Sequence, residues 1–274
     1  MENIIEEITP VRKLRTQEEV KDATEQLMMA ENPIGEKVEE SKRSLQRLGT
    51  PDLLSVETMD ELDSDDLKIA IDEWDTTQKK LAEMYENQTQ YYEWEVRRAR
   101  MLEKLALHAE ERFDQSSSTR TEQHRVFVEI KMWASFAKHL ILRVNVEDVV
   151  NIEDEYGFVD LELKHHINEA IMTTGSLFES AGEEIMIRNH GLDPDSHMGM
   201  ADISNKLYSH DYITRQEKDV IDDFRRDVRN RIAHDILQRT RFDDYGDFRS
   251  EVITPCWEVI DISERLAEKE LAPK

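Results

Sequence analysis

The stretch Arg229-Asn230-Arg231-Ile232-Ala233-His234-Asp235 sets a permanent cation, an amide and an imidazole close together, and the Arg-Asn-x-x-x-His arrangement occurs nowhere else in the chain. A neutral imidazole can take a proton from a hydroxyl near neutral pH. A guanidinium offers a fixed fork of donors to phosphoryl oxygens, and Asn230 can orient either group. Proton transfer beside a phosphate is the chemistry these types allow. A plainer role suits them equally: basic groups near a helix C-terminus cap free carbonyls and complement the dipole. Asp227 and Asp235 can pair with the arginines as a surface network.

Charge separates this stretch from its surroundings. Residues 215–241 carry eight basic and six acidic side chains, a net of +2, which leaves −27 for the rest of a chain whose total is −25. Such an anionic body repels nucleic acid over most of its surface, whereas a local patch that includes Arg225, Arg226 and Arg231 can seat one phosphate.

Other chemistries lack their residues. His165-His166-x-x-Glu169 does not have the ligand spacing of a zinc helix, and its histidines are expected at the surface. No glycine-rich phosphate loop or nucleophile elbow occurs, so neither a metal nor a cofactor is expected. The single cysteine, Cys256, precedes Trp257 in an apolar helix and reads as core, and the scattered methionines read as packing. One cysteine excludes an internal disulfide and favours an intracellular, cytoplasmic setting. The N-terminus has no signal-peptide pattern, and no window approaches the ~18 apolar residues of a membrane span.

Four helices must position the candidate residues. The first runs from Leu161 to Arg188 with a continuous apolar face and stops at Asn189-His190-Gly191. A short second helix spans about Ala201 to Ser209. Thr214-Arg215-Gln216-Glu217 is a capping box that opens the third, and the fourth lies between Phe248 and Ala267, with Pro255 kinking it or sitting in its first turn. At ~100° per residue, Val220, Ile221, Phe224, Val228 and Ile232 share the core face of the third helix. Asp223, Asp227, Asn230 and His234 fall on another side. Arg229 sits at the edge of the apolar stripe, about 140° from His234. The two converge only if the helix loosens near Ala233-His234 or if two copies meet across a dimer axis.

The N-terminal part is also helical. Thr16-Gln17-Glu18-Glu19 caps a helix to about Ala30, and a second covers Glu36 to Leu48. From Ser64 to Asp114 there is neither Gly nor Pro, and apolar groups recur near every 3.5 residues. Gln78, Gln88 and Glu95 interrupt that seam. A continuous helix there would reach roughly 75 Å, as an antiparallel hairpin or a dimeric coiled coil. Tyr91-Tyr92-Glu93-Trp94 admits a base-stacking reading, but solvated coiled-coil aromatics fit the acidic surroundings better. A turn is expected at Ser116-Ser117-Ser118-Thr119, followed by a helix from Glu122 to about Val144 that folds back. The divisions expected are an N-terminal arm (1–60), a long hairpin or coiled coil (61–157) and a C-terminal helical domain (158–274).

Arg229 to Asp235, late in the third of four helices and preceded by Leu207-Tyr208-Ser209-His210-Asp211-Tyr212-Ile213-Thr214, resembles the signature of the HEPN (higher eukaryotes and prokaryotes nucleotide-binding) superfamily. That signature is Arg, a polar residue that is often Asn, and His after a short spacer. The resemblance covers about residues 158–270. Asp235 departs from the small residue usual after the His. Composition and periodicity give an all-α fold with an elongated N-terminal helical or coiled-coil region, and the resemblance implies a C-terminal four-helix HEPN-like bundle. It further implies a metal-independent endoribonuclease of toxin or antiviral type, with Arg229, Asn230 and His234 catalytic and products ending in a 2′,3′-cyclic phosphate and a 5′-hydroxyl. Expected partners are a second copy, RNA and an antitoxin or other protein. Because many members are catalytically silent, the alternative is a dimerising or interaction scaffold.

Overall fold

Hydroxyl–carboxylate capping boxes start two helices where the sequence places them. Thr16 Oγ1 accepts the Glu19 N–H (3.2 Å) while Glu19 Oε2 accepts the Thr16 N–H (3.0 Å), opening α1 (Gln17–Met29). Thr214 and Glu217 repeat the exchange at the start of α7 (Arg215–Asp223). A computed structural model describes residues 11–48, 64–113, 115–147, 161–194, 196–230 and 252–272, and all regular structure among them is helical. The remaining helices are α2 (Gly35–Leu48), α3 (Ser64–Arg112), α4 (Gln115–Glu147), α5 (Leu161–His190), α6 (Met200–Ser209) and α8 (Thr254–Glu270). Among the described residues, no helix is long and apolar enough to cross a membrane.

The gap-free stretch is one helix: α3 has 49 residues, a rise of ~73 Å. It pairs with α4 as an antiparallel hairpin in which Tyr85 stacks on His139 and Gln88 Nε2 donates to Ser135 Oγ (2.7 Å). The reversal comes earlier than expected, before Gln115, so the Ser116–Thr119 run lies in the first turns of α4. Hydroxyl residues favour helix starts as much as turns, and the sequence does not distinguish the two. Trp133, read as part of the apolar stripe of α4, stays 48% exposed, with its ring set edge-on to Phe136. Tyr92 packs on Phe136, and Trp94 is buried beneath the Arg98 guanidinium, so these aromatics serve helix packing rather than standing solvated as expected.

The polar seam positions are used. Glu95 and Arg98 are both buried and lie 3.2 Å apart, and Arg98 Nη1 donates to Ala30 O (3.0 Å). Asn32 Nδ2 donates to Tyr91 O (3.0 Å), which fastens the α1–α2 turn to α3. Burial pushes the Glu95 carboxyl above its ordinary value, against the opposing pull of Arg98 and Lys131.

One continuous apolar core runs from Leu14 to Leu271. Helix α4 is central to it, packing against α3 on one side and against α5 and α8 on the other. Pro255 sits in the first turn of α8, where its missing N–H costs nothing, while Ile260 and Leu266 are fully buried and Trp257 partly so. Cys256 is buried as expected; burial pushes its thiol up to about 12, opposed by a hydrogen bond with Thr174. His166, expected at the surface, is only 6% exposed, because it lies one turn before Ala170 on the inward face of α5. Met186 and Met200 pack in the core, but Met29 and Met172 are exposed.

Helices α5 and α6 end side by side. Gly191 stops α5 with φ 64°, and Asp211 follows α6 with φ 60°. The Asp211 N–H reaches Tyr208 O (3.1 Å) and the Tyr212 N–H reaches Leu207 O (2.9 Å), the pattern of a left-handed helix stop that normally carries Gly. His190 and His210 stack across this corner, and Asn189 Nδ2 donates to Tyr212 Oη (3.0 Å). Asp211→Gly is therefore expected to raise stability by about 0.5–1 kcal/mol in urea unfolding. An unchanged or lower midpoint would show that the aspartate side chain offsets its backbone strain.

Candidate active site around Arg229

The helix carrying the candidate residues widens at Phe224–Arg229, while Ala233 and His234, where loosening is expected, lie outside the described residues. Residues Phe224–Arg229 form a π-turn, closed by the Asn230 N–H bonding to Arg225 O five residues back. Such a turn advances roughly 80–85° per residue, so it sets Arg229 back by roughly 80° from its place on a straight α-helix. That takes the side chain from the edge of the stripe into line with Ile221, facing α5. Phe224 and Val228 remain buried, so the wide turn keeps its apolar anchors while it redirects the arginine.

Glu179 of α5 receives it. Arg229 Nη1 donates to Glu179 Oε1 (2.6 Å) and Nη2 to Oε2 (3.1 Å), a bidentate pair whose side chains are 19% and 21% exposed. Glu179 Oε1 also accepts the Met200 N–H (2.9 Å), and Glu183 Oε1 accepts the Met198 N–H (2.9 Å). Two carboxylates one turn apart on α5 thus hold the start of α6, where the helix dipole favours negative charge. Gly175, one turn before Glu179, leaves the room: a Cβ there would lie 2.9 Å from Arg229 Nε and 3.0 Å from its Cδ. Gly182 does the same for α6, since a Cβ would come within 2.2 Å of Ile203 Cγ2.

The other candidates are distributed as follows. Asn230 is exposed, as are Asp223 and Asp227. Arg226 is exposed and ion-paired with Asp223 and Asp227, as the surface-network reading anticipates. Arg225 is half-buried, and its Nε has no hydrogen-bond partner among the described residues. Arg231 and His234 lie outside the described residues. Lys218 pairs with Asp222 one turn on, so several positive charges of the patch are balanced locally. No group of three or more metal-ligating side chains occurs among the described residues.

Sequence reading missed Glu179, Gly175 and the Met200 N–H because they are remote in the chain from Arg229. One signal was available: Gly175 and Gly182 interrupt a strongly periodic helix seven residues apart, and an isolated helical glycine often marks a close approach. Comparison with known proteins adds nothing to the geometry: no family model matches the chain, and no curated protein or solved structure is significantly similar to it.

Proposed function

We propose that residues 158–274 form a HEPN-like four-helix unit and that the protein is a metal-independent endoribonuclease working as a homodimer. The observation that carries this reading is the placement of Arg229: a guanidinium anchored on one edge, adjacent to exposed Asn230 and followed in sequence by His234. Glu179 accepts two of the guanidinium N–H donors in the bidentate manner that a phosphate would also use. In the reaction, neutral His234 takes the proton of a ribose 2′-hydroxyl and the freed oxygen attacks the adjacent phosphorus. Arg229 stabilises charge gathering on the phosphoryl oxygens. The 5′-oxygen leaves with a proton from the imidazolium of the second copy, giving a 2′,3′-cyclic phosphate and a 5′-hydroxyl. Arg225, Arg226 and Arg231 contact neighbouring phosphates. The N-terminal helices place the dimer or receive an inhibitory protein such as an antitoxin in the cytoplasm.

A second reading, a silent interaction module of the same fold, is favoured by one observation: the Glu179 carboxylate neutralises the very cation the chemistry needs. Purified protein incubated with labelled RNA in EDTA separates the two. Cleavage to cyclic-phosphate ends by the unmodified protein, lost in His234→Ala, supports the enzyme. Identical, intact RNA with both proteins supports the module.

A further inference from the structure

Resting on the ribonuclease reading, we propose that Glu179 is an autoinhibitory contact: its carboxylate occupies the paired donors of Arg229 that an RNA phosphate would take, and substrate phosphate displaces it. The two acceptors are alike in what matters to a guanidinium, since both present two oxygens to parallel N–H groups. The distances of 2.6 and 3.1 Å show those donors fully engaged.

Three features make the contact releasable. Glu179 also holds the Met200 N–H at 2.9 Å, so when Arg229 departs the carboxylate keeps a partner at the positive end of α6. Arg229 retains 19% of its side-chain exposure, enough for an anion to approach from outside. The π-turn offers a route for the motion, because tightening it to α geometry would return Arg229 towards the edge of the apolar stripe, away from Glu179. Gly175 keeps the resting position open, since any larger residue would collide with Arg229 Nε and Cδ there. The site is therefore closed by its own carboxylate and opened by competition.

The test is binding of a fluorescent 2′-O-methyl oligoribonucleotide, which cannot be cleaved, followed by anisotropy. Glu179→Gln removes the charge but leaves an oxygen for the Met200 N–H. It is expected to bind about tenfold tighter than the unmodified protein. Glu179→Gln/Arg229→Gln should lose that gain. A folded Glu179→Gln that binds no tighter, or whose gain survives loss of Arg229, overturns the proposal. If Glu179→Gln does not fold, Gly175→Ala decides instead, because it drives Arg229 off the same contact: an Arg229-dependent gain supports the proposal and no gain overturns it. Cleavage of ordinary RNA is scored separately, so the ribonuclease reading can fail while binding still tests the contact.

Discussion

Arg98→Ala should lower the stability of the protein by about 3–5 kcal/mol, read from urea unfolding followed by circular dichroism. The guanidinium is the main compensation for the buried Glu95 carboxylate, 3.2 Å away, and it also satisfies Ala30 O. Removing it strands an acid and a carbonyl where water cannot reach them. Replacing both partners, as in Glu95→Gln/Arg98→Met, should recover most of the loss, since a buried pair is stabilising chiefly against its own half-removal. Glu95 also predicts a pH dependence. Its folded carboxyl lies above the ordinary value, so the folded chain holds that proton to higher pH than the unfolded chain. The stability this contributes is full below about pH 4.5 and is lost as pH rises through the folded value. Wild type should therefore lose stability relative to Glu95→Gln as pH increases. A difference that stays flat would mean that Arg98 compensates the charge completely.

Phe224→Ala should cost about 3–5 kcal/mol, and its effect should reach Arg229. The ring is fully buried and opens the π-turn, so its loss leaves a cavity at the residue from which the wide turn starts. With that anchor gone, the extra width of the turn has no apolar compensation, and Arg229 should drift from Glu179. Hydrogen exchange at the Met200 amide, which shares Glu179, is the local readout beside the unfolding midpoint. A variant that is destabilised but keeps Met200 protected in the folded state would show that the turn is held by Val228 and α5 rather than by Phe224.

Local chemistry was legible in the sequence and remote chemistry was not. Thr16–Glu19 and Thr214–Glu217 start helices through partners three residues apart, so their signal is complete within one turn. The long α3 follows from the absence of breakers and a sustained period. The π-turn has no such mark, and the partner its arginine meets lies on α5, fifty residues away from Arg229. Arg98 and Gln88 could be placed on α3, but not their partners on the α1–α2 turn and on α4. His166 and Trp133 went opposite to their types because position on the helix face decided their exposure.

The central place of α4 has a consequence for how this chain could have been assembled or divided. Since α5 and α8 lean on the same helix that completes the hairpin, the C-terminal quartet is not a portable cassette. Severed from its neighbour it would show a raw apolar stripe to water, an invitation to clump. The motif-bearing end and the long hairpin are therefore bound to a common fate: whatever loosens one must be felt by the other.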